Sequence, residues 1–127
     1  MRLKSNLRGV IAVLFAGLLA GCGHKDGNSA PPPVVSVAEA PKVMDEAFNG
    51  AAPDVKEEVA AVAAAAKQDE GTAVTSLVDL MHRGDLTPEQ RMAAGRCLPA
   101  FLDAARRAAA NGDPKAADAL QAYNVSK

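Results

Sequence analysis

The sequence is poor in aromatic residues: of its 127 residues, three are Phe, one is Tyr and none is Trp. Beyond the first 22 residues, the aromatics are Phe48, Phe101 and Tyr123. Aromatic side chains bring large contact areas to a core. Alanine, which makes up much of the 49% hydrophobic content, brings little. A chain of this length has room for one small domain, and we expect its core to be built mainly from small side chains.

The chain also lacks an excess of basic residues. Three basic residues, Arg2, Lys4 and Arg8, lie at the N-terminus, and without them the chain has 11 basic and 15 acidic side chains, a net charge of −4. Binding to a nucleic-acid backbone needs clustered Lys and Arg. We therefore expect no nucleic-acid partner.

Motifs of catalytic or metal-binding sites are missing from the sequence as well. It contains no Gly-rich phosphate loop, no nucleophile elbow around a Ser, and no spaced set of Cys, His and carboxylate residues. His82 precedes Arg83 and Gly84, a position typical of a helix end, where we expect it to hydrogen-bond terminal carbonyls. The sequence predicts a protein that is not an enzyme, with no catalytic residue and no metal.

The N-terminus has a clear pattern of charge followed by apolar residues. Residues 1–8 carry three positive charges and no acid, and residues 9–20 form a charge-free run of 12 residues. As a helix this run reaches about 18 Å, whereas a membrane-spanning helix must cross roughly 30 Å of hydrocarbon. The pattern is typical of a secretory signal peptide, which we assign to residues 1–21.

The run ends in Leu19-Ala20-Gly21-Cys22, which resembles the lipobox of bacterial lipoproteins: an aliphatic residue, two small residues and an obligatory Cys. In that family a dedicated peptidase cuts before the Cys, the thiol carries a diacylglyceryl group, and the new amino terminus is often acylated. The resemblance implies lipid attachment at Cys22, with Leu19, Ala20 and Gly21 as the signal-peptidase recognition residues. Beyond these covalent acyl groups we expect no cofactor. Two or more acyl chains anchor a protein stably to a membrane.

Two neighbours of Cys22 affect this interpretation. Gly23 stands where an Asp tends to retain such lipoproteins in the inner membrane, so the resemblance implies the periplasmic face of the outer membrane. His24 would be the third residue after cleavage, and a free amino terminus with His at position three can chelate Cu(II) or Ni(II). Acylation would remove the amino donor. The lipid anchor and the metal site therefore exclude each other, and the pattern favours the anchor.

The rest of the chain divides into a tether and a helical domain. Residues 22–41 include Pro31-Pro32-Pro33 and Pro41 and show no periodicity, which predicts a flexible tether. Residues 42–127 predict an all-α domain, a small bundle or two helical hairpins of four to five helices. Four stripes are expected to form its core: Val55, Val59, Val62 and Ala66; Val74, Leu77, Val78 and Met81; Ala94, Cys97, Leu98, Phe101, Ala105 and Ala108; and Ala117, Leu120 and Tyr123.

Helix ends are predicted from capping residues. A short helix over 43–48 should close with a left-handed turn at Asn49-Gly50, and the next should begin near Pro53. Thr87-Pro88-Glu89-Gln90 predicts a capping box, and Asn111-Gly112 predicts a stop before a last helix from Asp113-Pro114.

One segment of the sequence echoes another. Residues 63–77 and 106–120 align without a gap at an offset of 43, each running from alanines through a turn into a helix. Stacked helical hairpins produce such an echo, and the pattern weakly resembles tetratricopeptide-type solenoids, although their large aromatic positions are absent.

Two features leave alternatives open. Cys97 lies on an apolar stripe, where it either packs as a small hydrophobe or forms an intermolecular bridge; packing is the simpler account. Residues 39–70 hold eight acids and three bases, whereas residues 83–107 hold five arginines and three acids. These segments either pack against each other or present Arg83, Arg91, Arg96, Arg106 and Arg107 to an anionic partner such as a cell-wall or lipopolysaccharide group.

Together these observations predict a lipid-anchored bacterial lipoprotein that acts as a non-enzymatic structural or protein-interaction module in the periplasm. Its partners are the membrane, through the anchor, and a protein of unknown identity. The alternative is a small periplasmic enzyme or ligand-binding protein whose site is assembled by the fold. A deep pocket with converging polar residues would favour the alternative, and an exposed apolar or arginine-rich face would favour the interaction module.

Overall fold

The computed structural model describes residues 33–127, and within that range the chain forms five α-helices and no strand. The all-α prediction is confirmed. The helices are α1 (Ala40–Ala47), α2 (Pro53–Ala65), α3 (Glu70–His82), α4 (Pro88–Ala110) and α5 (Pro114–Val125). None of them is long and apolar enough to cross a membrane.

The first four helices form a closed ring around the main core. Helix α1 packs against α2 and α4, and α3 packs against the same two helices from the other side. The largest fully buried side chains lie inside this ring: Phe48, Met44, Leu77, Leu80, Val62, Val74 and Cys97. Helix α5 lies outside the ring, along the edge formed by α3 and α4.

Capping residues define the helix starts largely as predicted. Pro53, Pro88 and Pro114 each occupy a first helical turn. Thr87 and Gln90 form the predicted capping box: the Gln90 N–H donates to Thr87 Oγ1 at 3.2 Å and the Thr87 N–H donates to Gln90 Oε1 at 3.0 Å. Gly112, at φ +95°, ends α4 in the left-handed region, as the Asn111-Gly112 pair predicts.

The first helix differs from its prediction at both ends. It begins at Ala40 rather than Val43, because Ser36 and Glu39 form a reciprocal cap just before it. It ends at Ala47, and Gly50 does not adopt a positive φ. The predicted left-handed turn at Asn49-Gly50 is therefore wrong. The buried Phe48 anchors the turn, and its carbonyl accepts the Ala51 N–H at 3.0 Å.

The predicted core stripes are confirmed in α2, α3 and α4. Most of their members are buried, and Ala66, Val78, Met81, Leu98 and Ala108 are partly buried against the same core. Val35 and Ala40 also belong to this core, although both fall within the stretch predicted as tether.

The predicted core stripe of α5 begins one residue too late. Ala116 and Ala119 are buried, whereas Ala117 is exposed. The cause is the close approach of α5 to α3. A Cβ atom on Gly71 would lie 2.7 Å from the Lys115 carbonyl oxygen, so the two backbones nearly touch there. At that distance only methyl-sized side chains fit, and the face of α5 that carries Ala116 and Ala119 turns inward.

The two echoing segments occupy equivalent places in the fold. Residues 63–77 cover the end of α2, the following turn and the first half of α3, while residues 106–120 cover the end of α4, a turn and the first half of α5. The echo thus corresponds to two helical hairpins. The likeness to tetratricopeptide solenoids stays a prediction.

Candidate functional site

A cluster of charged side chains ties α2 to the loop that follows α3. Arg83, only 22% exposed, donates from Nη1 to Glu58 at 2.5 Å and from Nη2 to Asp54 at 2.7 Å. It also binds Asp85 through two nitrogens, at 2.9 Å and 2.6 Å. Of the two alternatives for the oppositely charged segments, Arg83 therefore follows the first: it packs against acids of the other segment.

The cluster shifts the acid–base behaviour of its members. The hydrogen bonds that Arg83 donates lower the pKa of Asp54 and of Asp85, and the same bonds to Asp85, Asp54 and Glu58 raise the pKa of Arg83. The three carboxylates that contact the Arg83 guanidinium largely offset its positive charge. Arg83 consequently has a structural role, since it links α2 to the loop after α3, and it offers little net positive charge to an anionic partner.

The other arginines do not form one basic face. Arg106 pairs with Asp103 at 2.6 Å, and Arg91 donates to the Arg83 carbonyl at 3.4 Å. Arg107 is exposed. Arg96 is half-buried, and its Nε atom is buried without a hydrogen-bond partner. Arg96 is thus the one arginine of the five whose surroundings leave a buried donor unused.

Arg96 lines a cleft where the described chain begins. The cleft has a volume of about 250 Å³ and lies between α1, α4 and the segment before α1. Its walls combine charged and aliphatic side chains: Val34, Val35, Glu39, Lys42, Val43, Glu46 and Arg96. This mixture of opposite charges over an aliphatic wall was not predicted from the sequence.

A second, more apolar groove runs between α3 and α5. Its volume is about 220 Å³, and its apolar lining comprises Val74, Val78, Ala119, Ala122 and Tyr123. Polar side chains stand along its rim: Thr75, Asp79, His82 and Ser126. The groove exists because α5 contributes alanines where a larger side chain would fill the space. We refer to these nine residues as the α3/α5 groove.

The polar rim of the α3/α5 groove does not form a catalytic arrangement. Asp79, His82 and Ser126 resemble a triad in type only, because within the described residues no hydrogen bond joins them, and Ser126 Oγ donates to the Tyr123 carbonyl at 2.9 Å. His82 lies in the last turn of α3, as predicted, but it makes no hydrogen bond to the helix carbonyls. Its predicted capping role is wrong, and the Arg83 N–H instead donates to the Leu80 carbonyl at 3.2 Å.

Cys97 is buried in the ring, which confirms its packing role. Its Sγ lies 3.9 Å from the Ala40 carbonyl oxygen, so the thiol faces α1, and it is not part of a disulfide. Burial raises the pKa of the Cys97 thiol. A neutral, enclosed thiol is unreactive, so an intermolecular bridge would need the ring to open.

The residues predicted for lipid attachment and processing lie outside the described range. They are Leu19, Ala20, Gly21 and Cys22, together with His24 of the competing metal site. Within residues 33–127, no group of three or more His, Cys, Asp or Glu side chains could hold a metal ion.

Sequence reasoning missed several of these features for different reasons. The Ser36-x-x-Glu39 pattern is a readable capping-box signal. Asp69, which caps α3 by accepting the Thr72 N–H at 2.9 Å, also has the right type and position. The cleft and the groove depend on how helices distant in sequence come together, and no local pattern encodes them.

The chain matches no protein-family model, and comparisons with curated proteins and with solved structures give no significant match.

Proposed function

We propose that the chain is a bacterial lipoprotein, anchored through Cys22 to the periplasmic face of the outer membrane, whose helical body binds a protein partner through the α3/α5 groove. The sequence pattern of charge, apolar run and Leu19-Ala20-Gly21-Cys22 supports the anchor. The observation that carries the binding role is the apolar lining of the α3/α5 groove, in which Val78 and Tyr123 are partly exposed and Ala122 is exposed. Exposed apolar patches on small proteins mark interaction sites.

Two carboxylates beside the groove indicate the chemistry of the partner. Asp79 stands on its rim, and Asp118 lines the adjoining surface of α5 with Ala119 and Ala122. Neither takes part in an ion pair within the described residues, whereas the nearby Lys115 is paired with Asp69 at 3.1 Å. The surface is therefore apolar in the middle and negative at its edges. It suits a segment that presents an apolar side chain flanked by basic residues.

The anchor is tested by the mass of the protein extracted from membranes. We expect a chain that starts at the Cys22 residue and carries acyl groups, and Cys22→Ser should abolish both the cleavage at this position and the acylation. Cys97→Ser is the matched control, because it removes the other cysteine and should leave the acyl groups in place. A mature protein that is unacylated and cut elsewhere would overturn the anchor.

The binding surface is tested by a pair of alanines on one helix. Ala122 lines the α3/α5 groove and Ala117 does not, and both are exposed on α5. A photoreactive residue at position 122 should crosslink in living cells to a partner with basic residues flanking the contact, while the same residue at position 117 should not. In a second experiment the photoreactive residue replaces Val125, and Ala122→Arg should then abolish crosslinking to the partner. Equal crosslinking from positions 117 and 122 would contradict a groove-centred interaction.

The second candidate function is that of a small periplasmic ligand-binding protein. Its specific support is the half-buried Arg96 with an unpartnered Nε, at the edge of a cleft that the fold assembles. Binding of a small molecule there would leave the α3/α5 groove free, so the two functions are compatible.

A further inference from the structure

The cleft beside Arg96 contains a positive charge that no carboxylate of residues 33–127 pairs with. Arg96 lies on α4 and is half-buried, and its Nε atom is fully shielded yet makes no hydrogen bond. Within the described residues no carboxylate forms an ion pair with it. A donor hidden from solvent and left unsatisfied is unfavourable, and such atoms in native structures often mark the place of a bound molecule or ion.

The two acids of the same cleft are engaged elsewhere. Glu39 Oε2 accepts the Ser36 N–H at 3.1 Å and the Ser36 hydroxyl at 2.7 Å, which lowers the pKa of Glu39 and keeps it ionised. The Glu46 carboxylate lies 3.9 Å from Lys42 Nζ. Arg96 and Glu39 therefore remain as separate, opposite charges that line one cavity. The second oxygen of Glu39 is free to accept a further hydrogen bond.

This arrangement selects against ligands with a single charge. A simple anion near Arg96 would meet the negative fields of Glu39 and Glu46, and a simple cation would meet those of Arg96 and Lys42. A molecule that carries both charges at its two ends satisfies Arg96 and Glu39 together. A guanidinium binds a carboxylate through two parallel hydrogen bonds, and a carboxylate accepts readily from an ammonium.

The remaining wall sets the size and the polarity of the ligand. Val34, Val35 and Val43 supply an aliphatic surface, and Val34 is 89% exposed. The volume of about 250 Å³ is below the range of typical drug-sized pockets, so the ligand is small.

We propose that this cleft binds a free amino acid or a short peptide with an aliphatic side chain, with its carboxylate on Arg96, its ammonium on Glu39 and its side chain against Val34 and Val43. This inference requires neither the lipid anchor nor docking at the α3/α5 groove. Failure of either leaves it intact.

The test is a titration of the detergent-extracted protein with the dipeptide Ala-Val, followed by NMR of the arginine Nε–Hε groups. The Arg96 signal, assigned as the one missing in Arg96→Lys, should shift saturably at concentrations up to about 10 mM. The methyl ester of Ala-Val lacks the carboxylate, and its N-acetyl derivative lacks the ammonium. Each should bind about tenfold more weakly than the dipeptide.

Matched variants separate the cleft from general charge effects. For the variants, binding is followed at the backbone amide of Val43 in the same cleft, because Arg96→Gln has no Nε–Hε signal at position 96. Arg96→Gln and Glu39→Gln should each weaken Ala-Val binding about tenfold, whereas Arg107→Gln, on the same helix but exposed, and Glu57→Gln, on α2, should leave it unchanged. Circular dichroism of each variant confirms that the helices remain. The proposal is overturned if no saturable shift occurs, if sodium chloride produces the same shift, or if the ester and the N-acetyl derivative bind as tightly as the dipeptide.

Discussion

The ring of α1–α4 and the seam between α3 and α5 are packed in different ways. Inside the ring, Met44, Phe48, Leu77 and Leu80 interlock as large, fully buried side chains. At the seam, Ala116 and Ala119 are the buried residues of α5, Leu120 and Tyr123 are only partly buried, and Gly71 lets the backbones of α3 and α5 meet. Burial of apolar area is the main source of stability, and alanine buries little of it. We therefore expect α5 to open at a lower free energy than the ring, on the same side of the molecule as the α3/α5 groove.

The largest expected effect comes from the ring. Leu77→Ala should lower the free energy of unfolding by about 2–5 kcal/mol, because it leaves a cavity at a fully buried position. Val125→Ala, at a residue of the seam that is 81% exposed, should change it by less than about 0.5 kcal/mol. Denaturant unfolding followed by circular dichroism measures both. Equal losses would show that the ring is not the main source of stability.

Gly71→Ala tests the close approach at the seam. The new methyl group would overlap the Lys115 carbonyl, so α5 must move, and we expect a loss of about 1–3 kcal/mol. Gly84→Ala is the control, since a Cβ there meets nothing within 4 Å. It should be neutral or slightly stabilising. In hydrogen exchange, Gly71→Ala should speed the amides of α5 more than those of α1. Uniform acceleration throughout the chain would contradict a separate seam.

The helix caps offer a smaller and more local comparison. Thr87 caps α4 in the ring, and Asp113 caps α5 by accepting the Lys115 N–H at 2.9 Å and the Ala116 N–H at 3.3 Å. Each change to Ala removes about 1 kcal/mol of local stabilisation. Thr87→Ala should lower the global free energy of unfolding, whereas Asp113→Ala should mainly increase hydrogen exchange within α5. If Asp113→Ala lowers the global free energy of unfolding as much as Thr87→Ala does, the result would show that the ring and the seam unfold together.

The smallest expected effect is on the loss of stability at acidic pH. Arg83 lowers the pKa of Asp54 and Asp85 in the folded state, so their contribution to stability is complete above the ordinary Asp value of 3.8 and is lost as the pH falls through their lowered values. Arg83→Gln should therefore flatten the decline of the denaturant midpoint between about pH 5 and pH 2.

Lys115→Gln is the matched change at the seam. It should flatten that decline less, because the pKa of Asp69 is lowered mainly by the Thr72 N–H and only then by Lys115. An unchanged acid profile in Arg83→Gln would show that the cluster does not stabilise the fold through charge.

The sequence predicted several features of the fold that local chemistry determines, although the turn at Asn49-Gly50 was wrong and the Ser36 and Asp69 caps were missed. Thr87, Gln90 and Gly112 act through neighbours within a few residues, so their roles could be recognised directly. The stripe from Val55 to Val62 follows from helical spacing. Where the outcome depended on a distant partner, prediction failed: Ala116 rather than Ala117 faces inward because Gly71, over 40 residues earlier, lets α5 approach.

The candidate sites show the same difference between features set by neighbouring residues and features set by residues distant in the sequence. Lipid attachment at Cys22 is proposed from a continuous stretch of sequence: the N-terminal charges, the apolar run and Leu19-Ala20-Gly21-Cys22. Arg96 was singled out only as one of five arginines. Its distinguishing property, an unsatisfied Nε beside Glu39 and Val34, depends on residues from α4 and from the segment before α1. A cleft of this kind has no signature in a linear pattern.

Because Cys97 is buried, the reaction of its thiol with a reagent can be used to measure opening of the helical ring. If Cys22 is acylated, Cys97 is the sole free thiol of the mature chain, and it is sealed between α4 and the Ala40 carbonyl of α1. A membrane-permeant alkylating reagent can reach it only when α1 lifts from α4. The rate of Cys97 labelling in intact cells therefore measures how often the ring opens, without purification of the protein.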